Sequence, residues 1–149
     1  ELKAACESLA IGLDDTLSLL AVSGPDAGRY LHSRTTQDIN ALQEGEGAYA
    51  AILDKGAHVL SYFSIHQTED VYWLLIPKAA EAATLAELEK YRIVEQATFT
   101  PRASYIYRVS GVEASAYMQQ TLGVAYDNLP EMGAIQLPMG QWADSLVIR

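Results

Sequence analysis

Between Gly47 and Ile76 the chain carries three strand-like runs joined by two four-residue turns, and no other feature constrains the fold as much. Gly47–Leu53 is apolar, and Asp54-Lys55-Gly56-Ala57 has turn composition. His58–His66 then alternates, which predicts Val59, Phe63 and Ile65 on one face and His58, Tyr62 and His66 on the other. Gln67–Asp70 is a second polar turn before the apolar run Val71–Ile76. Parallel neighbours need a crossover of about a dozen residues or more, so turns this short dictate antiparallel pairing. The pattern predicts a three-stranded antiparallel meander.

The flanks add helices. Leu17–Val22 reads as a strand. Ser23 stands three positions before Asp26, the capping-box spacing; alternatively Gly24 is the cap and Pro25 the first helical residue. The helix that follows would turn Ala27, Tyr30 and Leu31 to one side, ahead of the polar run Ser33–Asp38. Pro77 ends the meander, and Lys78–Tyr91 reads as a helix with Ala82, Leu85 and Leu88 inward and Glu81, Glu87, Glu89 and Lys90 solvated. Arg92–Phe99 is predicted as a strand opening on Ile93 and Val94, and Tyr105–Val109 as another. Short strands are expected around Ala134–Leu137 and Trp142–Ile148.

The opening pattern recurs. Val22-Ser23-Gly24 matches Val109-Ser110-Gly111, Asp26 matches Glu113, Ala27 matches Ala114, Tyr30 matches Tyr117 and Leu31 matches Met118. The offset is 87 in every case (111 − 24). Two related strand-to-helix units are therefore expected. Antiparallel sheets with about three helices and an internally repeated strand–helix unit define an α+β fold.

Composition narrows the function. The 149 residues suit one core of ordinary size, 50% of them are hydrophobic, and the formal net charge is −9. Phosphate backbones are not drawn to such a field without a local basic patch, and Arg29 with Arg34 is too little to form one, so no direct nucleic-acid partner is expected. Cys6 is the one cysteine, which excludes an intrachain disulfide and a multi-cysteine metal site and fits a reducing compartment. Cys6 reads as a small apolar residue near a terminus. No segment has the apolar length of a membrane span, and the start lacks the pattern of a signal peptide.

Motifs for familiar chemistry are missing. There is no GxGxxG, P-loop or GxSxG sequence. His32, His58 and His66 lack metal-helix spacing and read as exposed or rim residues. Glu44-Gly45-Glu46-Gly47 reads as a polar loop, and Tyr62 with Tyr72 and Trp73 reads as an aromatic core face.

The order of residues goes further. Val22-Ser23-Gly24-Pro25-Asp26-Ala27, Tyr30-Leu31 and Thr36-Gln37-Asp38-Ile39 resemble the N-terminal signature of the folate-binding aminomethyltransferase superfamily, which includes the glycine cleavage T-protein and the YgfZ-type proteins. Glu44-Gly45, Ala48-Tyr49, Leu53-Asp54-Lys55-Gly56, Val71-Tyr72-Trp73-Leu74 and Tyr105–Tyr117 resemble further landmarks in the same order. The likeness spans roughly residues 9 to 149. It implies an N-terminal folate-binding-type subdomain over 1–100 and the start of a second, ferredoxin-like subdomain over 101–149, within a longer protein. Leu60 and Ser61 stand where T-proteins carry an acidic pair, and serine cannot replace a catalytic carboxylate. YgfZ-type proteins also lack that acid, and their Lys-Gly-Cys…Gly-Gln-Glu segment does not occur here.

The resemblance thus implies a tetrahydrofolate-binding protein that supports iron–sulfur enzymes and, through them, tRNA modification. Its partners would be folate and iron–sulfur proteins, in a bacterial cytoplasm or an organelle matrix, with no membrane. Tyr49, Ser61, Tyr62 and Ile76 are the candidate folate contacts, with no catalytic residue and no metal ligand. The alternatives are one-carbon transfer of T-protein class, or a scaffold that has lost its ligand.

Overall fold

The computed structural model describes residues 8–137 and 146–149. Cys6 and the first part of the strand expected at Trp142–Ile148 lie outside the described residues. In chain order the elements are β1 (Ala10–Leu13), β2 (Leu17–Ser23), α1 (Ala27–Arg34), β3 (Gly47–Leu53), β4 (Val59–Thr68), β5 (Val71–Pro77), α2 (Glu81–Tyr91), β6 (Thr98–Arg102), β7 (Tyr107–Ser110), α3 (Ala114–Leu122), β8 (Ala134–Gln136) and β9 (Leu146–Ile148). Five strands form one sheet in the order β3-β4-β5-β2-β6, with every neighbour antiparallel. Two further pairs, β1-β7 and β8-β9, form two-stranded antiparallel ribbons. The α+β class and the meander β3-β4-β5 are as the sequence predicts.

One face of the five-stranded sheet is the core. Leu20, Val22, Ile52, Phe63, Ile65 and Leu74 are buried on it against Tyr30 and Leu31 of α1 and Leu88 of α2. Burying each such side chain contributes about 1.5–3 kcal/mol relative to leaving it in water. The Tyr30 hydroxyl donates to the Leu88 carbonyl at 2.5 Å and ties the two helices together.

The internal repeat is structural. Gly24 and Gly111 share a left-handed backbone, with φ of 115° and 120°. Ala27 and Ala114 donate to the carbonyls of these glycines at 3.0 and 3.1 Å. Asp26 N–H donates to Gln96 O at 3.3 Å, and Glu113 N–H to Ser8 O at 3.2 Å. The two units also exchange strands: β6 pairs with β2 of the first unit, whereas β1, from the start of the chain, pairs with β7 of the second.

The capping box does not form. The N-caps are Asp26 and Glu113, and neither helix has a side-chain cap. The Asp26 carboxylate instead accepts from Gln96 N–H at 2.8 Å and from Arg29 at 2.9 Å, and these bonds hold it below the usual carboxylate range. Gly24 is required here because a Cβ would lie 2.3 Å from Gln96 O. The glycine corner therefore grips a neighbouring segment instead of capping its own helix.

That grip also corrects the strand expected at Arg92–Phe99. The Glu95 carboxylate accepts from the N–H groups of Ile93 and Val94, both at 3.2 Å, and folds 92–97 into a loop. Ile93 and Val94 point to solvent, and the strand runs from Thr98 to Arg102. Pro101 is tolerated because β6 lies at the sheet edge. In α2 the buried pair is Thr84 and Leu88, and Ala82 faces solvent. Thr84 can be buried because its hydroxyl donates to Ala80 O at 2.8 Å. Glu87 is mostly covered, between Arg34 and Lys90. The other expected strand starts later, at Tyr107.

Candidate functional site

The second face of the five-stranded sheet carries the candidate site. Alternation along the strands sends Tyr49 and Ala51 of β3, Tyr62, Ser64 and His66 of β4, and Trp73 of β5 to this side. Tyr72 and Trp73 are adjacent on one strand and point to opposite faces, so the aromatic face expected from Tyr62, Tyr72 and Trp73 does not exist as a set. Instead, Tyr49 and Tyr62 come together. Tyr49 pairs with Ser64 and Tyr62 with Ala51, which makes the two tyrosines diagonal neighbours. Their rings stack at 5.4 Å between centroids and 13° between planes. Tyr49 is 56% exposed and Tyr62 55%, on a floor of buried Ala51 and Ser64.

Across the sheet, Trp73 is buried and donates from Nε1 to Thr68 Oγ1 at 2.8 Å. The Arg102 guanidinium lies 5.9 Å from the Trp73 ring. No strand position on this face holds a carboxylate.

One end of the face is closed by the 130–134 turn. His66, expected at a rim, is fully buried. Its Nδ1 lies 2.9 Å from Met132 O and its Nε2 2.8 Å from Ser64 Oγ. A carbonyl can only accept, so Nδ1 carries the proton and Nε2 accepts from the serine hydroxyl. Burial pushes the His66 pKa below its ordinary value, opposed by the bond to Met132. Gly47, opposite His66, leaves the room: a Cβ there would lie 2.3 Å from both His66 Nδ1 and Met132 O. His58, by contrast, is exposed and sits on the Asp54 carboxylate at the hairpin tip.

Ser61 and Ile76 lie on the core face and are buried, at 4% and 0% exposure. Ser61 Oγ has no hydrogen-bond partner. The structure therefore brings Tyr49 and Tyr62 together and sets Ser61 and Ile76 on the other side of the sheet. Leu60 is partly exposed beside a register shift between Ile52 and Leu53. His66, Ser64 and Trp73 are the residues of this face that sequence reasoning did not assign to a site.

Two concavities lie elsewhere. One of about 330 Å³ lies between Leu122 and Leu137, lined by Asn128 among mostly apolar residues, and one of about 290 Å³ sits behind the hairpin among Arg34, Asp54, Lys55, Glu87 and Tyr91. Neither opens on the tyrosine pair. No cluster of three or more metal-ligating side chains occurs among the described residues, and none of their helices is long and apolar enough to cross a membrane.

The architecture matches a known class. The crystal structure of glycine cleavage system aminomethyltransferase T from Bartonella henselae superimposes with a TM-score of 0.83 over 91% of this chain and 38% of that one, at 20% identity. The fold is thus that of the glycine cleavage T-proteins. By sequence the chain is similar to proteins called YgfZ. The tRNA-modifying protein YgfZ of Vibrio vulnificus is 28% identical over 110 residues, covering 74% of this chain and 34% of that protein. The YgfZ of Edwardsiella ictaluri is 27% identical over 130 residues, covering 87% and 38%. The chain spans about a third of the length of these relatives. No family profile matches it.

Proposed function

We propose that the chain is the folate-side portion of a YgfZ-type protein, with tetrahydrofolate bound on the open face of the five-stranded sheet. The observation that carries the reading is the pair of half-exposed, stacked tyrosines, Tyr49 and Tyr62, on a small-residue floor. A pterin is flat, with polar edges. Two aromatic faces with hydroxyl tips suit it, so the residues present fit the group. Ser61 and Ile76, from the first candidate set, would act from the core layer beneath and not by contact. The strands of this face offer no carboxylate, which supports binding over aminomethyl transfer from this sheet. By likeness to proteins called tRNA-modifying, the role would lie in tRNA modification; the family resemblance implies that it would act there through iron–sulfur enzymes. A division near residue 100 between a folate-binding-type subdomain and the start of a second one belongs to the same reading.

Calorimetry with tetrahydrofolate tests it. Stacking of a flat heterocycle on an aromatic side chain contributes about 1–3 kcal/mol, so Tyr62→Ala should weaken binding roughly tenfold. Equal affinity in the wild type and in the Tyr49→Ala/Tyr62→Ala variant would refute the placement.

A further inference from the structure

The cavity of about 290 Å³ lies where the last residues of α1 and α2, Arg34 and Tyr91, meet the turn between β3 and β4. Leu53, Asp54, Lys55 and Glu87 complete its lining. Its volume falls just under the usual range for drug-sized ligands, about 300–1,000 Å³, and suits a small metabolite or a single anionic group.

Arg34 is the unusual group in this lining. Its guanidinium lies over the Tyr91 ring, 4.1 Å from the centroid, and its side chain is only 25% exposed. Its ion-pair partner, Glu87 Oε1, is 3.7 Å away, too far for a hydrogen bond. The Arg34 Nε is buried and has no hydrogen-bond partner among the described residues. A buried donor of a charged group is costly to leave unpaired, and the arginine fork matches a carboxylate or a phosphate. The acids of the cavity, by contrast, are engaged. Asp54 Oδ1 accepts from the N–H groups of Gly56 at 2.7 Å and His58 at 2.9 Å, and Asp54 Oδ2 lies 3.0 Å from His58 Nδ1. Glu87 Oε2 accepts from Lys90 Nζ at 3.4 Å, and that ammonium also lies 4.8 Å from the Tyr91 ring. Lys55 is exposed on the turn. The C-terminal ends of α1 and α2 favour cations. Three bases, Arg34, Lys55 and Lys90, therefore face two acids, Asp54 and Glu87, which leaves a local positive excess on a chain of net charge −9.

We propose that this cavity binds a small oxyanion, the phosphate or carboxylate group of a small molecule, on the uncommitted donors of Arg34, with Lys55 supplying a second positive charge. Tyr91 holds the guanidinium plane in place, so the fork is oriented before the ligand arrives. Glu87, already bound by Lys90, competes weakly for the fork at 3.7 Å. The inference does not depend on the folate reading, because the cavity does not include the Tyr49–Tyr62 pair.

Inorganic phosphate and succinate are the probes, each titrated into nitrogen-15-labelled protein with chloride holding the ionic strength constant. The Arg34 Nε–H resonance and the Lys55 amide should shift together and saturate. Saturation with phosphate alone assigns a phosphoryl ligand, and saturation with succinate alone a carboxylate one; saturation with both supports the shared oxyanion chemistry. Arg34→Lys keeps the charge, loses the fork and should weaken binding about tenfold or more. Lys55→Ala removes an exposed side chain, leaves the core untouched and should weaken binding about two- to fivefold. Shifts that grow linearly to about 50 mM, where a site of millimolar affinity would be full, overturn the proposal. Equal binding by wild type, Arg34→Lys and Lys55→Ala overturns it too. Neither probe carries a pterin ring, so this result stands apart from that of the folate titration.

Discussion

Gly47→Ala is the substitution for which the structure forecasts the largest effect from the smallest change. The backbone at Gly47 is ordinary strand, so alanine meets no conformational penalty there. The penalty is contact. The new Cβ would lie 2.3 Å from His66 Nδ1, 2.3 Å from Met132 O and 2.9 Å from Ile65 O. Two of these atoms are backbone, and the imidazole is fully buried. Relief requires the 130–134 turn or the ring to move, and either movement breaks the 2.9 Å bond between His66 and Met132. Overpacking costs about 1–3 kcal/mol, and an orphaned buried partner adds about 1–3 kcal/mol. A total of about 3–5 kcal/mol is a large part of the usual 5–15 kcal/mol. At this chain length it corresponds to a fall of about 10–15 °C in Tm. Gly12→Ala is the internal control: nothing lies within 4 Å of its Cβ, and no more than about 0.5 kcal/mol is expected. Calorimetric or circular-dichroism melts of both variants check the argument. A Gly47→Ala protein melting within about 2 °C of wild type would refute the close packing of β3, His66 and Met132.

Other outcomes follow from the same contacts. His66 has a folded pKa below its ordinary 6.5, so the unfolded chain takes up the proton first; its stabilisation is complete above about pH 6.5 and is lost as pH falls below that value. Urea midpoints should drop between pH 7.5 and 5, and His66→Gln should flatten that slope. Asp14 is held at about 2, first by its bond to Arg108 and then by those to Thr16; Arg108→Gln should raise its carboxyl titration, read by NMR, toward the ordinary value. Tyr30→Phe strips the Leu88 carbonyl of its side-chain donor and should cost about 1–3 kcal/mol in a urea titration. Ser61→Ala removes a buried hydroxyl with no partner and should leave stability unchanged or raised by about 1 kcal/mol; a loss of more than that would show a partner for Ser61.

The legible part of the fold was the part set by local pattern. Two short turns and a period of two define the meander, and the repeated Val-Ser-Gly corner marks two real units. The rest depended on segments distant in sequence. Alternation put His66 on the face of Tyr62, but only the turn at Met132, 66 residues away, buries it. The β-branched pair Ile93-Val94 reads as strand by propensity, yet the Asp26 clasp on Gln96 and the Glu95 carboxylate hold it in a loop. Thr84 reads as a surface residue because the sequence does not show its hydroxyl satisfied within the helix. At the site, the family resemblance points to both Tyr49 and Tyr62. It also points to Ser61 beside Tyr62, although neighbours on a strand face opposite ways.

The Tyr49–Tyr62 face is proposed to hold tetrahydrofolate. Its most direct test is the titration of tetrahydrofolate into uniformly labelled protein, followed by NMR. Ligand-dependent shifts are expected to centre on Tyr49, Ala51, Tyr62 and Ser64 and to be absent in the Tyr49→Ala/Tyr62→Ala variant. Saturable binding whose shifts lie elsewhere, and persist in that variant, would contradict it.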